Sequence, residues 1–518
     1  MLSPRLALRW SHVLLVSCLA LLFIYFNYTP LYHTDIWGHV HWGQQILETG
    51  RLPVEDPFMP LAAGVQETNT AWLSQVVYAL AEHWGGDEAL SNLYALVLIA
   101  TYGIYLRIFY LQTGRILLAS LGLFGLFVSV LSRNAIIRPE IFGGLCFALM
   151  LWMLAYVEPW RTSAAVVRTK HKHRSGSWHW VGIFALFAAW ANLHGSFAVG
   201  LVVLAALAIG TCMETMWRSR GVVAIFTNRS ALRSLLRFEV ALVATLCNPY
   251  GIDLLLATLR FGSNPNLNDV LEWYPLQLID LEGIVLSGTL LLVMFCLRKS
   301  KRRISLAEVL IFLSLIGMTA MRVRMINWYG PMAFFLLMPH AASAWRRTFG
   351  ARRHIQVKAE ELTTRHFVPT LACGLIVWIA FSLSPTSKPL LGGEVRDADI
   401  LYSQSTPLGV TEYLREHNVK GMILAPQWWG DWIALHGPSD SAVFMTTHVH
   451  LAPRRVWTDY LTVARGQAGW QKVLDKYAVD TLVVHKQLQS GLAAQTRGSA
   501  DWQTVYEDDL AMILQRTN

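Results

Sequence analysis

Asp35 and His39 lie four residues apart just past the first apolar run of this 518-residue chain. That spacing puts a carboxylate and an imidazole on one face of a helix. Both side-chain types move protons. The alternative is a helix N-cap, with the Asp35 carboxylate seated on the first backbone N–H groups. A second acidic pair, Glu55-Asp56 before Pro57, reads either as a functional carboxylate or as a turn. Farther along, Arg133, Arg138, Arg322 and Arg324 stand at the ends of apolar runs. There an arginine either binds an anion or snorkels to lipid headgroups. Glu140, His194, Asp269 and Glu272 share the same setting. His194 is a ligand or donor, or else a helix-end histidine bonded to backbone. Asp269 and Glu272 meet a metal or sugar, or belong to a solvated loop.

The elements that must position these groups are apolar. About eleven runs have the length of spanning helices, near 11–27, 88–106, 115–132, 140–157, 177–193, 197–216, 238–257, 281–298, 304–321, 326–344 and 366–384. Their connections alternate in basic content. One set holds Arg107/Arg115, Arg161 to Arg174, Arg218 to Arg237, Arg298 to Arg303 and Arg346 to Arg365, and is expected to be cytoplasmic. All the acidic, histidine and arginine candidates then share the outer face. Arg5 and Arg9 precede the first run, which ends in Tyr25-Phe26-Asn27-Tyr28 without small residues, so it reads as an uncleaved span with a cytoplasmic N-terminus. The stretch 71–84 is too short to span and reads as an interfacial helix. The expected organisation is a membrane domain over 1–384, with a long outer loop at 28–87, and an extracytoplasmic α/β domain over 385–518. Short β runs at 421–425, 442–446, 481–485, 504–506 and 511–515 alternate there with helical stretches at 409–417 and 455–477.

Composition fits a membrane protein: 54% hydrophobic residues and only 15% charged, with mean hydropathy +0.38. The net charge of +9 comes mostly from the basic loops, so anionic headgroups explain it and nucleic acid does not. Six cysteines sit in apolar segments without CxxC spacing and read as small buried hydrophobes. The chain has no phosphate-binding Gly loop, nucleophile elbow or zinc-protease motif. In the tail, Gln427-Trp428-Trp429-Gly430-Asp431-Trp432 stands out, and His448 and His450 make an incomplete metal site.

The stretch Thr34-Asp35-Ile36-Trp37-Gly38-His39, with Gly43, Ile46-Leu47, Gly50 and Pro53-Val54-Glu55-Asp56-Pro57-Phe58, resembles the first outer loop of GT-C-type glycosyltransferases. Relatives in that superfamily are protein O-mannosyltransferases, lipid A aminoarabinose transferases and oligosaccharyltransferase catalytic subunits. The likeness is stronger to poorly characterised bacterial members, which share Arg138-Pro139-Glu140, Trp190-Ala191-Asn192-Leu193-His194-Gly195 and Asn248-Pro249-Tyr250-Gly251. The resemblance implies a polytopic enzyme of the bacterial inner membrane that takes a sugar from a polyprenyl-phosphate donor. The acceptor would be a glycan, lipid or protein hydroxyl on the outer face. Asp35 matches the family carboxylate that acts as catalytic base or metal ligand, with Asp56 and His39 assisting, and Arg138, Arg322 and Arg324 would hold the donor phosphate. The family's acidic neighbour is absent, since Thr34 and Ile36 flank Asp35, so a Mg²⁺ or Mn²⁺ ion would draw on Asp56 from across the loop. Trp428, Trp429 and Asp431 are similar to the Trp-Trp-Asp acceptor motif of oligosaccharyltransferases, with Gly430 inserted.

Two other readings compete. A transporter or flippase of lipid-linked saccharides calls for mid-bilayer charges and an internal repeat, and neither is visible. A non-catalytic glycan-assembly protein would keep Asp35 for stability alone.

Overall fold

The computed structural model describes residues 8–134, 136–156, 177–350, 367–385 and 387–517. Arg5, the basic loop Arg161 to Arg174, and the part of the Arg346 to Arg365 loop from 351 onward lie outside the described residues.

The first two-thirds of the chain is a helical bundle. Its helices are α1 (Trp10–Asn27), α2 (Ile36–Thr49), α3 (Trp72–Thr113), α4 (Ile116–Ser129), α5 (Glu140–Ala155), α6 (Ser177–Leu193) and α7 (Phe197–Ser219). Then follow α8 (Arg229–Ala244), α9 (Ile252–Phe261), α10 (Leu281–Lys299), α11 (Leu306–Met321), α12 (Ile326–Phe349) and α13 (Phe367–Ser382). By length and composition, three described helices (α3, α7 and α10) can cross a membrane, and six more are apolar but shorter. The bundle is that of a membrane protein; the count of eleven spans goes beyond these three helices.

Two boundaries depend on glycine and proline. α3 is broken at Gly85 and Gly86, where Gly86 takes φ +62°, so the short segment starting at Trp72 and the long one after it are separate rods. The run expected as one span at 238–257 is two helices. α8 stops at Ala244 and α9 starts at Ile252, with Pro249, which has no N–H, and Gly251 at φ +54° in the turn between. Asn248 closes that turn by accepting from the Tyr250 N–H and donating to the Thr245 and Gly251 carbonyls.

The tail adds α14 (Leu408–Glu416), β1 (Gly421–Leu424), α15 (Gln427–His436), β2 (Ser441–Val443), α16 (Arg454–Ala464), α17 (Trp470–Lys476), β3 (Val479–His485), α18 (Ser490–Arg497), β4 (Trp502–Glu507) and β5 (Ala511–Arg516). The sheet order is β2-β1-β3-β5-β4, parallel across the first three strands and antiparallel across the last three. All five strands fall on the expected β runs. The helix expected over 455–477 divides into α16 and α17 at Gly466 and Gly469, both at positive φ. The tryptophan motif lies on α15, an element without a sequence signature of its own.

The tail is fastened to the bundle rather than hung from it. Leu31 N–H donates to the Leu401 carbonyl and Ser403 N–H to the Leu31 carbonyl, at 2.8 Å each. Arg396 is buried against Glu88 at 2.6 Å and also donates to the Asn27 carbonyl. α15 packs on α2, with Trp37 and Trp432 edge to face at 4.9 Å. One apolar core therefore runs from Phe26 and Trp37 into Trp429, Ile433 and Val483 of the tail. The six cysteines carry no disulfide; Cys146, Cys296 and Cys373 are buried, while Cys247 is exposed, outside the expected pattern.

Candidate active site

α2 begins at Asp35, yet the carboxylate makes no capping hydrogen bond. It turns instead to Arg138, whose Nε lies 3.1 Å from Asp35 Oδ2. The Nε–H is not aligned on that oxygen, so the contact is an ion pair. The N-cap alternative is thereby excluded. Arg138 Nη1 donates to Glu272 Oε2 at 2.5 Å, Arg324 Nη1 to Glu272 Oε1 at 3.1 Å, and Arg133 Nη2 reaches Glu272 at 3.2 Å and Glu140 at 3.5 Å. One carboxylate thus organises three guanidinium groups from two segments, the α4–α5 connection (Arg133, Arg138) and the α11–α12 connection (Arg324). Burial raises the Glu272 pKa, but Arg324, Arg138 and Arg133 outweigh it and hold the group well below the usual carboxylate range. Arg324 also lies over the Trp273 ring at 4.6 Å.

Arg322 has a different task. It donates to the Trp273 and Gly262 carbonyls at 2.6 and 3.2 Å, so it clamps the loop between α9 and α10. His194 Nδ1 accepts from the Ser196 N–H at 3.1 Å, the helix-end arrangement, while its ring also lines the cavity described next.

These groups form the polar end of a cavity of about 1480 Å³. Asp35, His39, Arg138, Glu140, Glu272 and Arg324 line it together. Its flank is apolar, built from Val199 and Val202 of α7, Met318 and Met321 of α11, and Trp328 of α12. The remaining wall comes mainly from the stretch 65–71, the end of α9 and the loop after it, and the tail. Asp269 joins the last two, accepting from Arg454 at 2.9 Å and from the Trp457 indole N–H at 3.1 Å, so it docks the tail while also lining the cavity. Asn266 donates to the Val449 and Ala452 carbonyls at 2.8 Å each.

Of the tail motif, Trp428 reaches the cavity, whereas Trp429 and Asp431 do not. Trp429 is fully buried, stacks on His485 and donates its indole N–H to the Ser405 carbonyl. Asp431 is buried behind the start of α2, so close that a Cβ on Gly38 would sit 2.5 Å from its Oδ1. It accepts from the Thr447 N–H and hydroxyl. Burial pushes the Asp431 carboxyl up to about 6.

Asp56 also lies outside the cavity wall. Its Oδ1 accepts from the Phe58 and Met59 N–H groups at 2.8 and 3.2 Å, which is a turn. Its Oδ2 faces His448 Nδ1 at 3.7 Å. His448 and His450 both line the cavity, although their spacing in the sequence indicated only an incomplete metal site. Among the described residues, no three His, Cys, Asp or Glu side chains are grouped to hold a metal ion. A Mg²⁺ or Mn²⁺ ion needs several oxygen ligands. Asp35 faces Arg138 and Asp56 is committed to a turn and to His448, so this donor set does not fit one.

No protein-family model matches the sequence, and no curated protein matches it. Among solved structures, the chain is similar to the cryo-EM structure of arabinofuranosyltransferase AftD from mycobacteria, with TM-score 0.51 and 16% identity. The match covers 99% of this chain but 42% of that one, so this chain spans less than half the length of AftD. At that identity the likeness is one of fold alone: the chain shares the fold of the matched part of that structure.

Proposed function

We propose that the protein is an integral-membrane glycosyltransferase that moves a sugar from a polyprenyl-phosphate-linked donor to a hydroxyl acceptor, with Asp35 as the base. One observation carries the reading. A partly exposed carboxylate, Asp35, meets Arg138, which shares Glu272 with Arg324, at the polar end of a cavity whose flank is apolar. A lipid-linked sugar phosphate has those same two halves.

In the transfer, the acceptor oxygen attacks the anomeric carbon and its proton passes to Asp35. The bond from that carbon to the phosphate oxygen breaks, and the phosphate leaves with the electron pair. Arg138 and Arg324 face the charge that develops on it. Glu272 fixes their spacing without neutralising both, so the cluster keeps donors for an anion. The lipid chain would lie along Val199, Val202, Met318 and Met321. The site would open on the periplasmic side of a bacterial inner membrane, with the N-terminus cytoplasmic and the tail periplasmic. The charges gather at helix ends around one cavity, as an interfacial transfer requires and a transport path does not.

The test is transfer in proteoliposomes from a panel of radiolabelled polyprenyl-phosphate sugars, read as released polyprenyl phosphate. Asp35→Asn should lower the rate by roughly 10²–10⁴-fold with the melting temperature preserved. Transfer by that variant within a few-fold of the unmodified protein would end the assignment of Asp35 as base.

A further inference from the structure

The tail-side lobe of the cavity is built differently from the lipid-side flank. Gln427, Trp428, Thr447, His448 and Gln489 line it together with Trp457, Tyr460 and Arg465, hydrogen-bonding groups beside aromatic faces. Trp428 is partly exposed, and its indole N–H has no acceptor among the described residues. His448 is held from behind. Its Nδ1 is buried 3.7 Å from Asp56 Oδ2, and Asp431 is fixed beside it by accepting from the Thr447 N–H at 3.2 Å. Trp42, His39 and His450 pack around the ring at 5.6, 5.7 and 5.8 Å between centroids. The ring edge away from Asp56 is the part left to line the cavity.

We infer that this lobe binds a saccharide acceptor, with the Trp428 face under a sugar ring and the His448 ring N–H donating to a sugar oxygen beside the hydroxyl that Asp35 deprotonates. The inference rests on the transferase reading and narrows its acceptor to a glycan. Sugar rings present apolar C–H faces and a dense set of hydroxyls, which an indole face and the Gln427 amide match. A lipid acceptor would want the apolar flank instead. Asp56 and Asp431 are then positioning residues that act through His448. This gives both carboxylates a purpose although neither reaches the cavity.

The charge on His448 follows from its neighbours. Burial lowers its pKa, but Asp56 and Asp431, with a smaller contribution from Glu67, reverse that and hold it at about 9. Burial keeps His39, the facing imidazole, well below its usual value, so the two rings are not both charged at neutral pH. Asp35, the charge at the start of α2, adds to the upward push on the Asp431 carboxyl.

The experiment uses the full chain, ¹⁵N-histidine labelled, in nanodiscs. The His448 ring signal is assigned by difference against His448→Gln, and independently by its displacement in Asp56→Asn, which keeps the turn because the side-chain oxygen remains. Methyl glycosides of a pentose and a hexose are the acceptor probes, and decaprenyl phosphate is the donor-side probe. The expected result is a charged His448 at pH 7 whose signal moves on glycoside addition and stays put with decaprenyl phosphate. Trp428→Ala should weaken the glycoside response at least tenfold. A signal that moves only with decaprenyl phosphate would place His448 on the donor side and overturn the inference. A signal indifferent to both probes would reduce His448 to a structural residue and overturn it as well. Failure of the transferase reading would show separately, as transfer unaffected by Asp35→Asn.

Discussion

Two buried arginine–carboxylate clusters sit at opposite ends of the bundle, and they are built to different purposes. At one end Arg302 Nη1 meets Glu308 at 2.7 Å and His340 Nε2 at 2.8 Å. Glu308 there closes a capping box with Ser305 at the start of α11. Its charge is spent on a helix terminus and a turn, with the carboxylate 4% exposed. At the other end three arginines converge on Glu272, and the Asp35 and Glu272 side chains remain 24% and 21% exposed on a cavity. Similar residue types thus give a structural clamp in one place and a ligand-ready site in the other. The distinguishing feature is that Asp35, Arg138, Glu272 and Arg324 line a cavity, not the number of ion pairs.

Substitutions can break that contrast. The largest effect is expected at Glu272→Gln, which strands Arg138 and Arg324 in a partly buried site. It should cost roughly 3 kcal/mol of stability and lower transfer at least a hundredfold. Thermal melts together with the proteoliposome assay check both. Glu308→Gln should cost a similar roughly 2–3 kcal/mol while transfer per folded molecule stays within twofold. Equal loss of transfer from both variants would erase the distinction between the two clusters.

A third effect sharpens the comparison through pH. The folded pKa of His448, about 9, lies above an ordinary histidine value, so the folded state holds its proton more tightly. Its stabilisation is complete below the unfolded pKa of about 6.5 and is lost as pH rises through 9. The full effect amounts to roughly 3 kcal/mol. Melting temperature should fall over that window, and the fall should flatten in His448→Gln. The smallest effect is expected at Arg322→Lys. It removes a planar clamp on two carbonyls but keeps a positive charge on the cavity wall, so transfer should drop by less than about tenfold.

Much of the helical body was legible because long apolar runs and basic loops leave strong sequence signals. The tail strands were legible for the related reason that short β-rich runs alternate with helical ones. The turn at Asn248 to Gly251 shows where run length misleads. Apolar residues continue across it, and a proline and a left-handed glycine end the helix regardless. At the site, Asp35, Arg138, Glu272 and Arg324 lie far apart in sequence, and their residue types were noticed, but their convergence on Glu272 depends on how three loops fold together. His448 was read only as half of an incomplete metal site for the same reason. Its partner Asp56 is 392 positions away, and nothing local distinguishes it from a strand-end histidine. Trp429 and Asp431 show the reverse. A conspicuous motif drew attention to side chains that the fold buries in the contact between tail and bundle.

The central claim is that the polar cluster and the apolar flank together hold a lipid-linked phosphate. Photo-crosslinking with a diazirine-bearing polyprenyl phosphate, mapped by mass spectrometry, tests it most directly. The expected result is labelling at α7 residues 199–202 and α11 residues 318–321 that competes with unlabelled polyprenyl phosphate and disappears in Arg138→Ala/Arg324→Ala. Labelling spread over the lipid-facing surface and unchanged in that double variant would contradict the claim.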